Sequence, residues 1–151
     1  MEEKINLTTA YEWLRDELDI SKVEAAQYSP LPLAYMGDAV YELIIRTKVV
    51  SAANMQVGKL NKQGNNLAMA TTQAQMVTLL SETHFLTEEE ERFVKRGKNA
   101  KVVNIPKSAT ATQYHLATGF ECLLGYLYLS EQFERAVDII VRGWELLDER
   151  E

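Results

Sequence analysis

The sequence predicts an all-α fold. Only three prolines occur in 151 residues, and two of them, Pro30 and Pro32, mark a single boundary. No stretch sustains period-two alternation, and apolar residues recur at helical spacing along most of the chain. The first segment, 9–18, carries Tyr11, Leu14 and Leu18 at that spacing, and 19–27 offers a short helical turn before the break at Ser29-Pro30. Beyond the break, Leu33, Met36, Val40, Leu43 and Ile44 form a 3.6-residue stripe that predicts a buried helix. Residues 55–62 give a weaker helix, interrupted by Gly64-Asn65-Asn66, and 67–80 is rich in the helix formers Ala, Met and Gln. Thr87 with Glu90 makes a capping-box pattern, with acids filling the first turn, so a helix should run to about Arg96 and stop at Gly97. Residues 102–110, with Pro106, read as an irregular connection, and 112–129 as a long apolar helix. Phe133, Val137, Ile140, Val141, Trp144 and Leu147 define one face of a final amphipathic helix.

A chain of this length buries a real core as one domain. Its 46% hydrophobic and 25% charged residues match an ordinary soluble protein. No basic segment followed by an apolar leader opens it, and no apolar run is long enough for a bilayer, so a cytoplasmic protein without a membrane partner is expected. The lone Cys122 excludes an internal disulfide and reads as a small buried hydrophobe. Net charge is −6, which by itself argues against nucleic-acid binding. The distribution argues differently: residues 95–107 hold Lys95, Arg96, Lys98, Lys101 and Lys107 and no acid, while acids concentrate in the first 24 residues, in the solvated-looking run Glu88-Glu89-Glu90-Glu91 and at the C-terminal end. The basic segment is either a local phosphate-binding stripe or a solvated loop.

Two acids stand alone in apolar sequence, Asp38 in Leu31-Pro-Leu-Ala-Tyr-Met-Gly-Asp-Ala-Val-Tyr41 and Glu121 in Gly119-Phe-Glu-Cys-Leu-Leu-Gly-Tyr-Leu-Tyr-Leu129. An ionised carboxylate in such a setting is costly unless paired, hydrogen-bonded or bound to a metal. Glycines adjoin both acids, and glycine lets a second backbone or a ligand come close. Converging from two helices, the acids would form a hard-oxygen site suited to Mg²⁺; alternatively, each caps a helix or pairs with a buried arginine. Glu42 lies one turn after Asp38 but also four residues before Arg46, the favourable order for an exposed ion pair, and reads as structural. His84 and His115 are not at ligand spacing, and no nucleophile elbow, Walker loop or dinucleotide fingerprint occurs. Hydrolysis here would rest on carboxylates and metal ions.

Leu33-Ala-Tyr-Met-Gly-Asp-Ala-Val-Tyr-Glu42 resembles the signature helix of the ribonuclease III family, whose usual form contains Glu-Phe-Leu-Gly-Asp-Ala-Val. Gly119-Phe-Glu-Cys-Leu-Leu-Gly125 resembles that family's second acidic helix, and Lys95-Arg-Gly-Lys-Asn-Ala-Lys101 with Pro106-Lys107 resembles a compact bacterial subgroup without a double-stranded-RNA-binding domain. The resemblance implies a ribonuclease III endonuclease-domain-like helical bundle over 29–151, with 1–28 an N-terminal helical extension. It implies a homodimeric, Mg²⁺-dependent endoribonuclease (Mn²⁺ as a substitute) that cleaves double-stranded RNA and matures precursor 23S ribosomal RNA, with a ribosomal protein as a candidate presenter of the substrate. Asp38 and Glu121 fall on the family's catalytic, metal-binding acids. Lys95, Arg96, Lys98, Asn99, Lys101 and Lys107 fall on an RNA-facing segment, and Tyr35 on an aromatic knob at the dimer contact. Ala34 and Thr118 stand where full-length ribonuclease III has two further acids, which leaves the number of metals open. The alternative is a catalytically silent RNA-binding helical dimer acting as a scaffold; retention of Asp38 and Glu121 favours the enzyme.

Overall fold

A computed structural model describes residues 7–21, 23–52, 57–101, 105 and 109–150. Among them the chain is all-α: α1 (Leu7–Glu17), a 3₁₀ turn (Ala25–Gln27), α2 (Pro30–Ala52), α3 (Val57–Ala68), α4 (Ala70–Glu82), α5 (Glu88–Lys98), α6 (Ala111–Leu129) and α7 (Phe133–Arg150). Helix α6 is the axis of the molecule. Helices α2, α4 and α5 pack around it, and α7 lies against α4 and α6. From Ala117 to Leu127 every α6 residue except Glu121 is buried, which is why the segment reads as apolar on all sides. A capping box starts it, with Thr110 Oγ1 accepting from Gln113 N–H and Gln113 Oε1 from Thr110 N–H, both at 3.1 Å. Helix α1 reaches this core through Tyr11, edge-on to Tyr128 at 5.6 Å between ring centroids.

Several expected details shift. Helix α2 starts at Pro30 itself, where a proline costs no helical hydrogen bond. Its buried face is rotated from the expected stripe: Leu33, Val40, Tyr41, Ile45 and Val49 are buried, while Leu43 is exposed. Tyr41 tolerates full burial because its hydroxyl donates to Leu67 O at 2.8 Å and accepts from Trp144 Nε1 at 3.2 Å. Likewise α7 buries Ala136, Ile139, Ile140 and Leu146 and exposes Val141. Helix α3 runs through Gly64-Asn65-Asn66, and the break falls at Met69 instead. Gly97 lies inside α5 rather than ending it. The ends of α1, α4 and α6 are instead closed by non-glycine residues in the left-handed region, Asp19, His84 and Glu131. The following N–H reaches back in each case, as Phe85 N to Leu80 O at 3.0 Å and Gln132 N to Leu127 O at 2.7 Å.

The four-acid run at the start of α5 is not uniformly solvated. Glu90 is buried and meets Arg135 of α7 in a bidentate pair, Nε to Oε2 and Nη2 to Oε1 both at 2.8 Å, while Nη2 also donates to Phe85 O. Burial by itself pushes the Glu90 carboxyl up. The Arg135 hydrogen bonds and charge, with the Thr87 N–H, outweigh it and hold the pKa below the ordinary value. Breaking such a pair strands a half-buried guanidinium, so Glu90→Gln should cost about 3 kcal/mol in denaturant unfolding. Because the carboxyl's pKa is lowered on folding, the pair's stabilisation is present above the unfolded value of 4.5 and fades as pH falls toward the folded one. The variant should lack that acid-side loss.

Candidate active site

Asp38 and Glu121 owe their juxtaposition to glycine. At the crossing of α2 and α6, a Cβ on Gly37 would collide with the carbonyl oxygen of Glu121 and lie 2.9 Å from Gly125 N. A Cβ on Gly125 would collide with the carbonyl oxygen of Leu33. The two backbones therefore touch, and of the two roles glycine could serve here, close approach of another backbone is the one realised. A similar contact seats α5 on α6, with Gly97 Cα facing Gly119 and Cys122.

This crossing brings the two acids together. The helix carrying Asp38 is buried along one face, but Asp38 itself stands exposed at its rim, and Glu121 is half-buried beside it. Burial, a hydrogen bond shared with Asp38, and the charges of Asp38 and Glu42 push the Glu121 carboxyl up to about 9. A carboxyl raised this far holds a proton near neutral pH. A cation would relieve the repulsion that holds this proton, and two carboxylates offer hard oxygen donors. Among the described residues no group of three or more His, Cys, Asp or Glu side chains is arranged to hold a metal. An ion at Asp38 and Glu121 would keep most of its shell for water and substrate oxygens, as Mg²⁺ commonly does. Ala34 and Thr118 add no free ligand: both are buried, and Thr118 Oγ1 donates to Tyr114 O at 2.9 Å. Glu42 pairs with Arg46 at 3.3 Å, as its spacing predicts.

The basic residues divide. Lys95, Lys98, Asn99 and Lys101 are exposed on α5 and just beyond it. Arg96 is committed to its own chain, donating from Nη1 to Ala26 O at 3.1 Å and from Nη2 to Tyr28 O at 2.7 Å, with its guanidinium over Phe93. It straps the connection before α2 onto α5. Lys107 lies outside the described residues. Tyr35 is 83% exposed, so it fills no core of its own chain. It borders an apolar groove of about 290 Å³ lined by Tyr11, Leu14, Leu18, Ile20 and Met36.

A helical domain in which two carboxylates meet at the crossing of two helices, with exposed lysines at the end of α5, has the donor chemistry of a metal-dependent nuclease, and comparison with known proteins gives its family. The Ribonuclease III domain model matches residues 31–132, and the chain belongs to the ribonuclease III family. It is similar to the Mini-ribonuclease 3 of Thermoanaerobacter sp. (strain X514), 42% identical over 86% of this chain and 90% of that one. It is equally similar to the Mini-ribonuclease 3 of Enterococcus faecalis, 42% identical over 76% of this chain and 86% of the other. A crystal structure of a Fusobacterium nucleatum protein superposes with a TM-score of 0.72 at 31% identity, covering 82% of this chain and 98% of that one. The family cleaves double-stranded RNA, generally depends on divalent metal and is generally dimeric, which makes this chain a double-strand endoribonuclease. No described helix is long and apolar enough to cross a membrane.

Proposed function

We propose that the chain is a cytoplasmic, homodimeric, Mg²⁺-dependent endoribonuclease that matures precursor 23S ribosomal RNA, with Asp38 and Glu121 as metal ligands, residues 29–151 as the catalytic unit and 1–28 as an N-terminal extension. The observation that carries the site is the facing pair of carboxylates, one open to solvent and one held by burial and its neighbour near a pKa of about 9. Such a pair opposes stability, and a scaffold gains nothing from it.

When bound, Mg²⁺ supplies charge neutralisation at the scissile phosphate and activates the attacking water. Asp38, on the exposed rim, would hold the ion where a duplex can reach it. Glu121 would complete the donor pair, its proton passing to solvent water. The backbone contact through Gly37 and Gly125 fixes the separation of the two acids, so little reorganisation is needed when substrate arrives. Lys95, Lys98, Asn99 and Lys101, with Lys107, take backbone phosphates and fix the duplex in position without reading bases. Exposed Tyr35 beside its own chain's apolar groove supports a twofold contact in which each knob enters the partner's groove.

Asp38→Asn should lower Mg²⁺-dependent cleavage of an RNA duplex by about 10³-fold or more with unfolding unimpaired, and cells carrying only this variant should accumulate 23S precursor. Near-wild-type cutting would remove Asp38 from the metal site; cutting lost in vitro without precursor accumulation would leave the nuclease but not the ribosomal substrate. Replacing Lys98 and Lys101 together with Ala should make the plot of log affinity against log salt shallower by roughly 0.7–0.9 per lost phosphate contact. An unchanged slope would turn this face away from RNA.

A further inference from the structure

The exposed edge of α2 carries Asp38, Glu42 and Arg46 at successive turns. They form an acid, an acid and a cation in one row, with Arg46 about 12 Å along the helix axis from Asp38. Glu42 Oε2 accepts from Arg46 Nε at 3.3 Å. Its side chain is 35% exposed while that of Arg46 is 76% exposed. The bond uses only Nε. Arg96, Arg135 and Arg142 each commit an Nη group to a protein acceptor. Neither Nη of Arg46 has such an acceptor among the described residues, so the forked end of the guanidinium is open to solvent, two helical turns from Asp38.

Charge balance gives this arrangement a purpose. Asp38, Glu121 and Glu42 place three acids along the path of a polyanion. One divalent ion offsets two of them and Arg46 offsets the third, so the edge stops repelling RNA. A guanidinium is also the side chain whose fork best matches a phosphate's two free oxygens.

We propose that Arg46 binds an RNA backbone phosphate neighbouring the scissile one, and that Glu42 is the positioning residue that aims its guanidinium. The inference rests on the reading that Asp38 and Glu121 mark the point of cleavage. It places a phosphate contact on the α2 side of α6, apart from the lysines of α5.

The test uses the full chain. Binding of an RNA duplex is measured against salt in the Asp38→Asn background, with Arg46→Ala, Arg46→Lys and Glu42→Gln added in turn. Arg46→Ala should weaken binding about tenfold and flatten the log–log salt slope by roughly 0.7–0.9. Arg46→Lys should keep the slope and recover only part of the affinity. In the active enzyme, Glu42→Gln should raise KM with kcat little changed, and Mg²⁺ should raise the melting temperature of both Glu42→Gln and Arg46→Ala as it does that of wild type. Unchanged affinity and slope in Arg46→Ala would reduce the pair to a helix-surface ion bridge and overturn the proposal. So would loss of the Mg²⁺ shift in either variant, which would move the pair into the metal site. Because the salt slope is read from binding, it stands apart from the question of whether Asp38 and Glu121 hold metal; cleavage surviving Asp38→Asn would sink that reading alone.

Discussion

Replacing Glu121 with Gln should raise the stability of the metal-free protein by about 2 kcal/mol at pH 8 and abolish cleavage. The sign follows from proton binding. Glu121 keeps its proton in the folded chain up to about 9, whereas in the unfolded chain it loses it near 4.5. Between those values the folded state binds more protons, so this group's contribution falls as pH rises, by at most about 1.4 kcal/mol per pH unit. The half-open rim screens part of the repulsion, which keeps the expected gain well below the full shift. Gln keeps the shape, donates to Asp38 from its amide and carries no proton to lose, so the alkaline-side decline should shrink. Unfolding in denaturant from pH 5 to pH 9, with cleavage measured on the same samples, reads both effects. A less stable Glu121→Gln protein would mean that the carboxyl is paired favourably in the fold.

The second large effect needs no change to either acid. Gly37→Ala places a methyl where the Glu121 carbonyl oxygen already stands. The obstruction is backbone, so no rotamer change relieves it, and α2 and α6 must move apart. A cost of about 3 kcal/mol is expected, together with loss of cleavage because the carboxylates separate. Melting temperature and Mg²⁺-dependent cutting check both, and near-wild-type values for the two would contradict the tight crossing.

What the sequence revealed, and what it hid, follows from the range of each interaction. Asp38 and Glu121 were legible because a charge inside an apolar run is conspicuous wherever it sits. Their glycines were legible as sites of close approach, but what approaches comes from a helix some eighty residues away, and only the fold supplies it. Glu90 was hidden inside a run of four acids that looks uniform in sequence, since Arg135 lies 45 residues on. Arg96 looked like its neighbouring lysines, because the carbonyls of Ala26 and Tyr28 that hold it are about 70 residues distant. Gly64 and Gly97 read as breakers from local propensity, and tertiary packing overrode that: Gly97 is small so that α5 can seat on α6. The tilt of the α2 stripe was misjudged because Tyr41 was given no place in it, although three groups from elsewhere in the chain satisfy its hydroxyl.

The claim at the centre of this account is that Asp38 and Glu121 together hold a divalent cation and that Glu121 must release a proton to do so. Thermal unfolding of wild type, Asp38→Asn and Glu121→Gln with and without Mg²⁺, at pH 6 and pH 8, tests it most directly. Ligand binding to the folded state raises the melting temperature with concentration, and displacement of a proton makes that rise larger at the higher pH. Wild type should show a Mg²⁺-dependent rise that is greater at pH 8, and neither variant should show one of comparable size. An equal rise in all three proteins, or a wild-type rise indifferent to pH, would contradict it.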